Sequence, residues 1–300
     1  MPDIDMMTRL AAAEFNDERP EFERNVPPAD AVATVAAPRP LWRKVLDSPA
    51  LRRGAVIAVL VVIWQLYATW IDNPLMFPTF GAMAKAFWTD LISGVLPMRV
   101  LGSLEVLIVG YATGVAIAAA LTTLAVSTRF GEDFLSTVTA MFSPLPAIAL
   151  LPLAMLWFGL GMGSLVFVLV HAVLWPLAMS AHGGFRAVSP TLRMVGQNYG
   201  LKRVPLVVSV LIPAALPSIL SGLKISWAFA WRTLIAAELV FGVSSGSGGL
   251  GWYIFRNKNE LMIENVFAGL VMVVLIGLLV EYALFGWLER RTVRRWGMQS

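Results

Sequence analysis

The chain has no cysteine, only two histidines, and charged side chains at only 14% of its 300 positions. Without cysteine there is no disulfide, no thiol nucleophile and no Cys-ligated metal. His171 and His182 are the only imidazoles. On one helix they would sit about 16 Å apart along the axis, too far to share an ion. There is also no G-x-x-x-x-G-K-[ST] loop, so the chain carries no nucleotide-binding cradle of that kind. The glycines of 246–251 lack the lysine and the strand–loop–helix setting such a cradle needs. What stands in place of charge is apolar surface: 58% hydrophobic residues and a mean hydropathy of +0.72. Soluble domains average about 25% charged and 45–50% apolar residues, and one soluble core of this length cannot hide the surplus. A soluble enzyme, a disordered regulator and a nucleic-acid-binding module are thereby excluded, and the sum is that of an integral membrane protein. The net charge of +4 matters less than where the charges lie.

A membrane-crossing helix needs roughly 20 mostly apolar residues. The sequence predicts six: 54–71, 100–128, 134–158, 164–185, 214–241 and 262–288. FGLGMGS at 158–164 separates the third from the fourth, because glycines mark a turn. Pro144, Pro146 and Pro152 should kink or break the third. Lys and Arg favour the cytoplasmic loops. If the N-terminus is cytoplasmic, the inner segments hold Arg43, Lys44, Arg52, Arg53, Arg129, Arg186, Arg193, Lys202, Arg203, Arg290, Arg291, Arg294 and Arg295. The outer segments hold only Lys85, Arg99, Arg256 and Lys258. Both termini are therefore expected in the cytoplasm. Trp64, Trp70, Trp252, Trp287 and Trp296 fall near expected span ends or in the tails, where indoles favour the membrane–water interface.

Residues 1–50 mix charge with Pro and Ala and lack the apolar core of a signal peptide. They read as a cytoplasmic tail, largely disordered, with a short helix at Met6–Phe15. Residues 51–300 form the membrane domain. Within it, 79–93 (TFGAMAKAFWTDLIS) is too short and too charged to span and reads as an interfacial helix on the outer side. SSGSGGLGWYIF at 244–255 reads as a flexible turn followed by an amphipathic segment.

The loop 186–213 is the most informative. Ser189-Pro190 is a helix start, with serine as cap and proline in the first turn. Leu192, Val195 and Tyr199 follow at helical spacing, and Gly200 can supply a left-handed C-terminal cap. A short cytoplasmic helix with apolar side chains is either a docking surface for another protein or a connector lying on the membrane.

Gly200, then Pro213 thirteen residues later, then Ala-Ala-Leu-Pro, resembles the E-A-A-x3-G-x9-I-x-L-P signature of ABC importer permeases. SGLKISWAFAWRTLIAAELV (221–240), SPLPAIALLPLAMLWFGLG (143–161) and WPLAMSAHGGFRAVSP (175–190) are similar to the nitrate/taurine/sulfonate branch. The resemblance covers about 51–295. It implies an all-α type I importer permease fold in the inner membrane of a bacterium. It also implies a homodimer of this chain, two cytoplasmic ATPase subunits that bind ATP and Mg, and an outer substrate-binding protein. The chain itself would be non-catalytic and hold no cofactor. The helix over 189–202 would then be the coupling helix, with Leu192, Arg193, Met194, Val195, Gly196, Tyr199, Gly200, Leu201 and Lys202 facing the ATPase. Here the sequence departs from the signature: Met194, Val195 and Gly196 stand where E-A-A is expected. An interior glycine costs roughly 0.5–1 kcal/mol against alanine, so the helix is expected to be weak unless the tail or Tyr199 supports it.

Ionisable residues inside spans default to function. Lys224, Trp227, Trp231 and Glu238 fall near one stripe of the fifth span, with Arg232 on a neighbouring face, and together they are the candidate translocation pathway. Two cations there favour an anionic solute. Two other readings stay open: Lys224 reaching for the cytoplasm, and Arg232 paired with Glu238 or Glu105. Glu281 is expected to pair locally near the inner end of the sixth span. A secondary carrier is the competing function, but it would need buried carboxylates or a histidine relay near the midplane. A membrane enzyme would need a nucleophile–base or metal set that two distant histidines do not provide.

Overall fold

The computed structural model describes residues 48–201, 204–241 and 248–292. Most of the expected tail, including Met6–Phe15, lies outside the described residues, as do Lys202, Arg203, the turn at 242–247 and the basic segment from 293 on. Residues 60–300 group into one compact unit. Residues 1–59 group into another, of which the described part is the start of the first helix.

Among the described residues all regular structure is helical. Five helices are long and apolar enough to cross a membrane: Ala50–Ile71, Val95–Ser127, Met162–Ala187, Val207–Val240 and Ile263–Arg291. A further pair, Arg129–Phe142 and Ala147–Phe158, passes the same test only together and is bent by 85°, the geometry of a broken span or a re-entrant loop. In chain order the helices are α1 (Pro49–Ile71), α2 (Phe80–Ile92), α3 (Val95–Ser127), α4 (Arg129–Phe142), α5 (Leu151–Phe158) and α6 (Met162–Ala187). Then come α7 (Pro190–Asn198), α8 (Ile212–Phe241), α9 (Leu250–Asn259), α10 (Ile263–Leu279) and α11 (Gly286–Arg291).

The break between α4 and α5 has a sequence cause. Pro144 and Pro146 lack a backbone N–H, so the α4 hydrogen-bond ladder cannot continue through them. Pro152 behaves differently from the expectation. It sits in the first turn of α5, where the missing N–H costs nothing, so it starts a helix rather than bending one. The third crossing also begins earlier than 134, because Thr128 accepts the Gly131 N–H at 2.9 Å and caps α4. The glycine turn after α5 is closed by Ser164, whose hydroxyl donates to the carbonyls of Ala154 and Gly159.

A second difference concerns the fifth crossing. Its expected start at 214 gives way to a helix entered directly from Val204–Leu206 through a π-helical turn at Val207–Leu211. The apolar segment after α7 is thus the foot of the span, not a loop. A second π-helical turn, Val280–Phe285, joins α10 to α11.

The packing centre is α6, held between α3 and α8. Small residues set the distances there, as they do where helices pack in lipid. A Cβ on Gly114 would fall 2.7 Å from Val173 Cβ, and one on Gly184 would fall 2.6 Å from Ser218 Cβ. Gly110 against Leu169 and Gly222 against Ser180 repeat the arrangement. Leu107, Leu169, Val173 and Leu234 are fully buried in the same core.

At one end, Asp90 of α2 accepts hydrogen bonds from the Tyr253 hydroxyl of α9 and from Asn265 Nδ2 of α10, the latter at 2.8 Å. Burial, and then the hydrogen bond to Asp90, push the Tyr253 phenol above its ordinary range. It therefore stays protonated and donating at neutral pH.

Gly114→Ala should lower stability by about 1–3 kcal/mol, the usual cost of overpacking, since the branched Val173 cannot swing aside. A lower thermal midpoint of the detergent-solubilised protein is the measurement. An unchanged midpoint would mean that α3 and α6 are free to separate.

Candidate functional site

The fifth-span candidates divide in the structure. Lys224, Trp227, Trp231 and Arg232 line one groove of about 450 Å³ between α8 and α10, with Glu281 on its far wall. Lys224 Nζ lies 3.1 Å from Glu281 Oε1, both side chains being partly exposed. The cation expected to face a solute is thus neutralised locally. Trp231 is buried and donates from Nε1 to the Val273 carbonyl at 3.3 Å. Trp227 packs edge-on against Tyr111, whose hydroxyl donates to the Leu223 carbonyl at 2.8 Å. The rest of this groove is apolar, with Ile225, Val273, Val274, Leu278 and the Phe285 ring among its walls.

Glu238 stands apart from the other four. Its carboxylate accepts the Ser103 hydroxyl of α3, at 3.0 and 2.9 Å from its two oxygens. It also accepts the Gly251 N–H of α9 at 2.8 Å. Ser103 in turn accepts the Leu250 N–H at 2.9 Å. Only 3% of Glu238 is exposed, and a Cβ on Gly249 would overlap its carboxylate. Gly249 and Gly251, already set apart from a phosphate cradle by their sequence setting, instead pack around an internal carboxylate at the start of α9. The helix N-terminus favours negative charge, and here the chain supplies it.

Arg232 pairs with neither Glu238 nor Glu105, and among the described residues it makes no ion pair. Its Nε donates to the Ala228 carbonyl of its own helix at 3.0 Å, and its guanidinium lies 5.1 Å from the Phe229 ring centroid. It also borders a second cavity of about 390 Å³, on the other side of α8, together with Ser143–Ile148 of the helix break, His171, Trp175 and Thr233. That cavity adjoins a third of about 760 Å³ through shared Ser143 and Pro144. The third is walled by Glu132, Asp133, Thr139, Met179, His182 and Arg186. Arg186 Nη1 meets Glu132 Oε1 at 3.1 Å there. Sequence reasoning weighed His171 and His182 only as ligands too far apart to share an ion. Their eleven-residue spacing was the available signal that α6 presents both to one side. Among the described residues no cluster of three or more potential ligands could hold a metal.

The loop helix forms as α7. Ser189 accepts the Leu192 N–H at 3.2 Å, and Gly200 takes the left-handed conformation at φ 78° while Leu201 N–H closes on the Gly196 carbonyl at 3.1 Å. Its support is not the expected one, however. Tyr199 is 83% exposed, and the tail lies outside the described residues. Instead Gly196 is buried, and a Cβ there would meet Leu206 Cδ1 at 2.6 Å and Val210 Cγ2 at 3.2 Å. The glycine lets α7 seat on the foot of the fifth crossing. Arg193 Nη2 adds a bond to the Phe185 carbonyl at 2.7 Å. Leu192, Met194, Val195 and Tyr199 are left exposed.

Residues 110–294 match the family model described as binding-protein-dependent transport system inner membrane component. The chain belongs to this family. Its fold is that of a type I ABC importer permease, and the protein is a multi-pass membrane permease subunit. Its relatives include a Methanocaldococcus jannaschii protein named as an ABC transporter permease, 30% identical over 231 residues, or 76% of this chain and 85% of that one. The taurine transport system permease protein TauC of Escherichia coli is 29% identical over 83% of this chain and 91% of its own length. The nitrate import permease protein NrtB of Synechocystis is 28% identical over 78% and 86%.

Glu238→Ala in this permease leaves the Ser103 hydroxyl and the Gly251 N–H without their buried partner. The expected cost is about 1–3 kcal/mol. Hydrogen exchange at the Leu250 and Gly251 amides should rise well above that of α6, while Glu238→Gln, which keeps one acceptor oxygen, should lie between. Protection unchanged in the alanine variant would show that the carboxylate does not hold α9.

Proposed function

We propose that the chain forms half of the pathway of an ATP-driven importer for a small anionic solute, a taurine or alkanesulfonate, nitrate or a related carboxylate. A binding protein delivers the solute from outside, and a second copy of this chain completes the pathway. The observation that carries the anionic reading is Arg232. It is a span cation without a carboxylate partner among the described residues, in a region where uncompensated charge is kept for function. The relatives named for taurine and nitrate import support the same solute chemistry.

ATP and Mg belong to the two ATPase subunits in this reading, and this chain does no covalent chemistry. The subunits grip the loop helix 189–202, whose exposed Leu192, Met194, Val195 and Tyr199 offer apolar contact and whose rigid seat on Leu206 and Val210 transmits displacement to the fifth crossing. The methionine, valine and glycine in place of E-A-A exchange an acidic contact for that seat. Both termini and α7 lie on the cytoplasmic side of the inner membrane, as the Lys and Arg distribution favours.

The test is reconstitution of the permease with its ATPase and binding protein in vesicles. ATP-driven uptake of taurine or nitrate is expected. Uptake that survives ATP removal and collapses with the proton gradient would overturn the reading in favour of a carrier. Tyr199→Ala removes an exposed side chain that supports nothing in this chain. It should weaken ATPase association about tenfold, corresponding to about 1.4 kcal/mol, with the permease's own thermal midpoint unchanged. Unaltered association would remove Tyr199 from the interface.

A further inference from the structure

We propose that the solute route runs along the α4–α6–α8 face rather than through the α8–α10 groove, and that Arg232, His171 and Trp175 form an oxyanion-binding site on it, at the break between α4 and α5. This rests on the importer reading above and adds a site to it. The first observation is continuity. His171, Trp175, Met179, His182 and Arg186 recur at helical spacing on α6, and all line the two cavities that adjoin at Ser143 and Pro144. They make one stripe from the helix break to the Glu132–Arg186 ion pair.

The second observation is where unpaired polar groups gather. The two ring nitrogens of His171, one a donor and one an acceptor in the neutral imidazole, the Trp175 indole nitrogen and the Thr139 hydroxyl are buried without hydrogen-bond partners, and all three residues wall these cavities. Trp175 is only 7% exposed. Indole N–H and guanidinium are donors only, so the wall near Arg232 asks for acceptors. A flat guanidinium fork matches two oxygens of a carboxylate-like group. Ser143 and Thr233 border the same space and add hydroxyls. A sulfonate, nitrate or carboxylate supplies acceptor oxygens and the negative charge together. A cation or a neutral donor supplies neither. The rival groove also borders Arg232 and the unpartnered Trp227 indole, but its lysine is neutralised by Glu281 and its remaining walls are apolar, so it offers an anion fewer free donors.

The absence of native cysteine makes the route directly addressable. In the reconstituted complex with ATPase and binding protein, single variants Met179→Cys (α6 stripe) and Ile225→Cys (α8–α10 groove) are labelled with a sulfonate-bearing methanethiosulfonate and with its neutral methyl analogue. Met179→Cys should react faster with the anionic reagent than Ile225→Cys does. Adding Arg232→Gln should slow only the anionic reaction, by about tenfold, as expected for losing a charge-assisted contact. Trp175→Phe, which removes the N–H and keeps an aromatic ring, should raise the KM for taurine or nitrate uptake. Preferential labelling at Ile225→Cys, or an anionic rate indifferent to Arg232→Gln, overturns the site. If uptake is ATP-driven in that case, the importer reading stands without it. Selective, Arg232-dependent labelling in a complex that moves no anion with ATP sustains the site and overturns the importer reading.

Discussion

The close approach of α6 to α3 and α8 is the constraint on which the rest depends. Gly110, Gly114, Gly184 and Gly222 bring helix surfaces to distances at which one added carbon collides with Leu169, Val173, Ser218 or Ser180. In lipid there is no hydrophobic drive to bring apolar helices together, so contact quality decides. A helix turns roughly 100° per residue, from 3.6 residues per turn. The contact positions 169, 173, 180 and 184 of α6 therefore lie on the side opposite to His171, Trp175, Met179, His182 and Arg186. Fixing the dry face fixes the other. The polar stripe cannot turn into the core without breaking the small-residue contacts, and so it is held against the cavities.

The charges inside the spans sort by the same logic into three physical situations. Lys224 is compensated by a partner at 3.1 Å, supplied by the π-helical turn that carries Glu281. Glu238 is satisfied by neutral donors, two from the chain's own backbone and hydroxyl, and stitches α3, α8 and the start of α9 together. Arg232 has only a carbonyl of its own helix and an aromatic face. A sequence stripe treats the three alike, because spacing reports direction from the helix and not what waits there. Partners 57 residues away for Lys224, or 135 for Glu238, cannot be read from local pattern.

Local chemistry, by contrast, was legible. Ser189, Pro190 and Gly200 marked both ends of α7, Pro144 and Pro146 marked the helix break, and Phe80–Ile92 appeared as the short helix expected over 79–93. These signals act within one turn of the backbone, so no tertiary partner is needed to read them. Most of the misjudged features required a neighbour. Gly196 was read as a weakness because its cost inside a helix is intrinsic, whereas its benefit comes from Leu206 and Val210 in the next segment. Pro152 was grouped with two prolines that bend a helix, although its own position starts one. His171 and His182 were weighed only as a metal pair, a question that says nothing about residues lining neighbouring cavities.

The seat of α7 also bears on what can hold the α6 end of that path closed. The Glu132–Arg186 pair has side chains 41% and 71% exposed, and ion pairs so open to solvent contribute about 0–1 kcal/mol. It is too weak to fix the position of α6 by itself. The Arg193 guanidinium, bonded to the Phe185 carbonyl next to Arg186, ties α7 to the last turn of α6, and Gly196 ties α7 to the foot of the fifth crossing. A displacement of α7 therefore reaches two crossings through short, specific contacts, and the Glu132–Arg186 pair adds little resistance to it. The link from α7 to the spans is thus made of close contacts, and the ion pair beside it is solvent-exposed and weak.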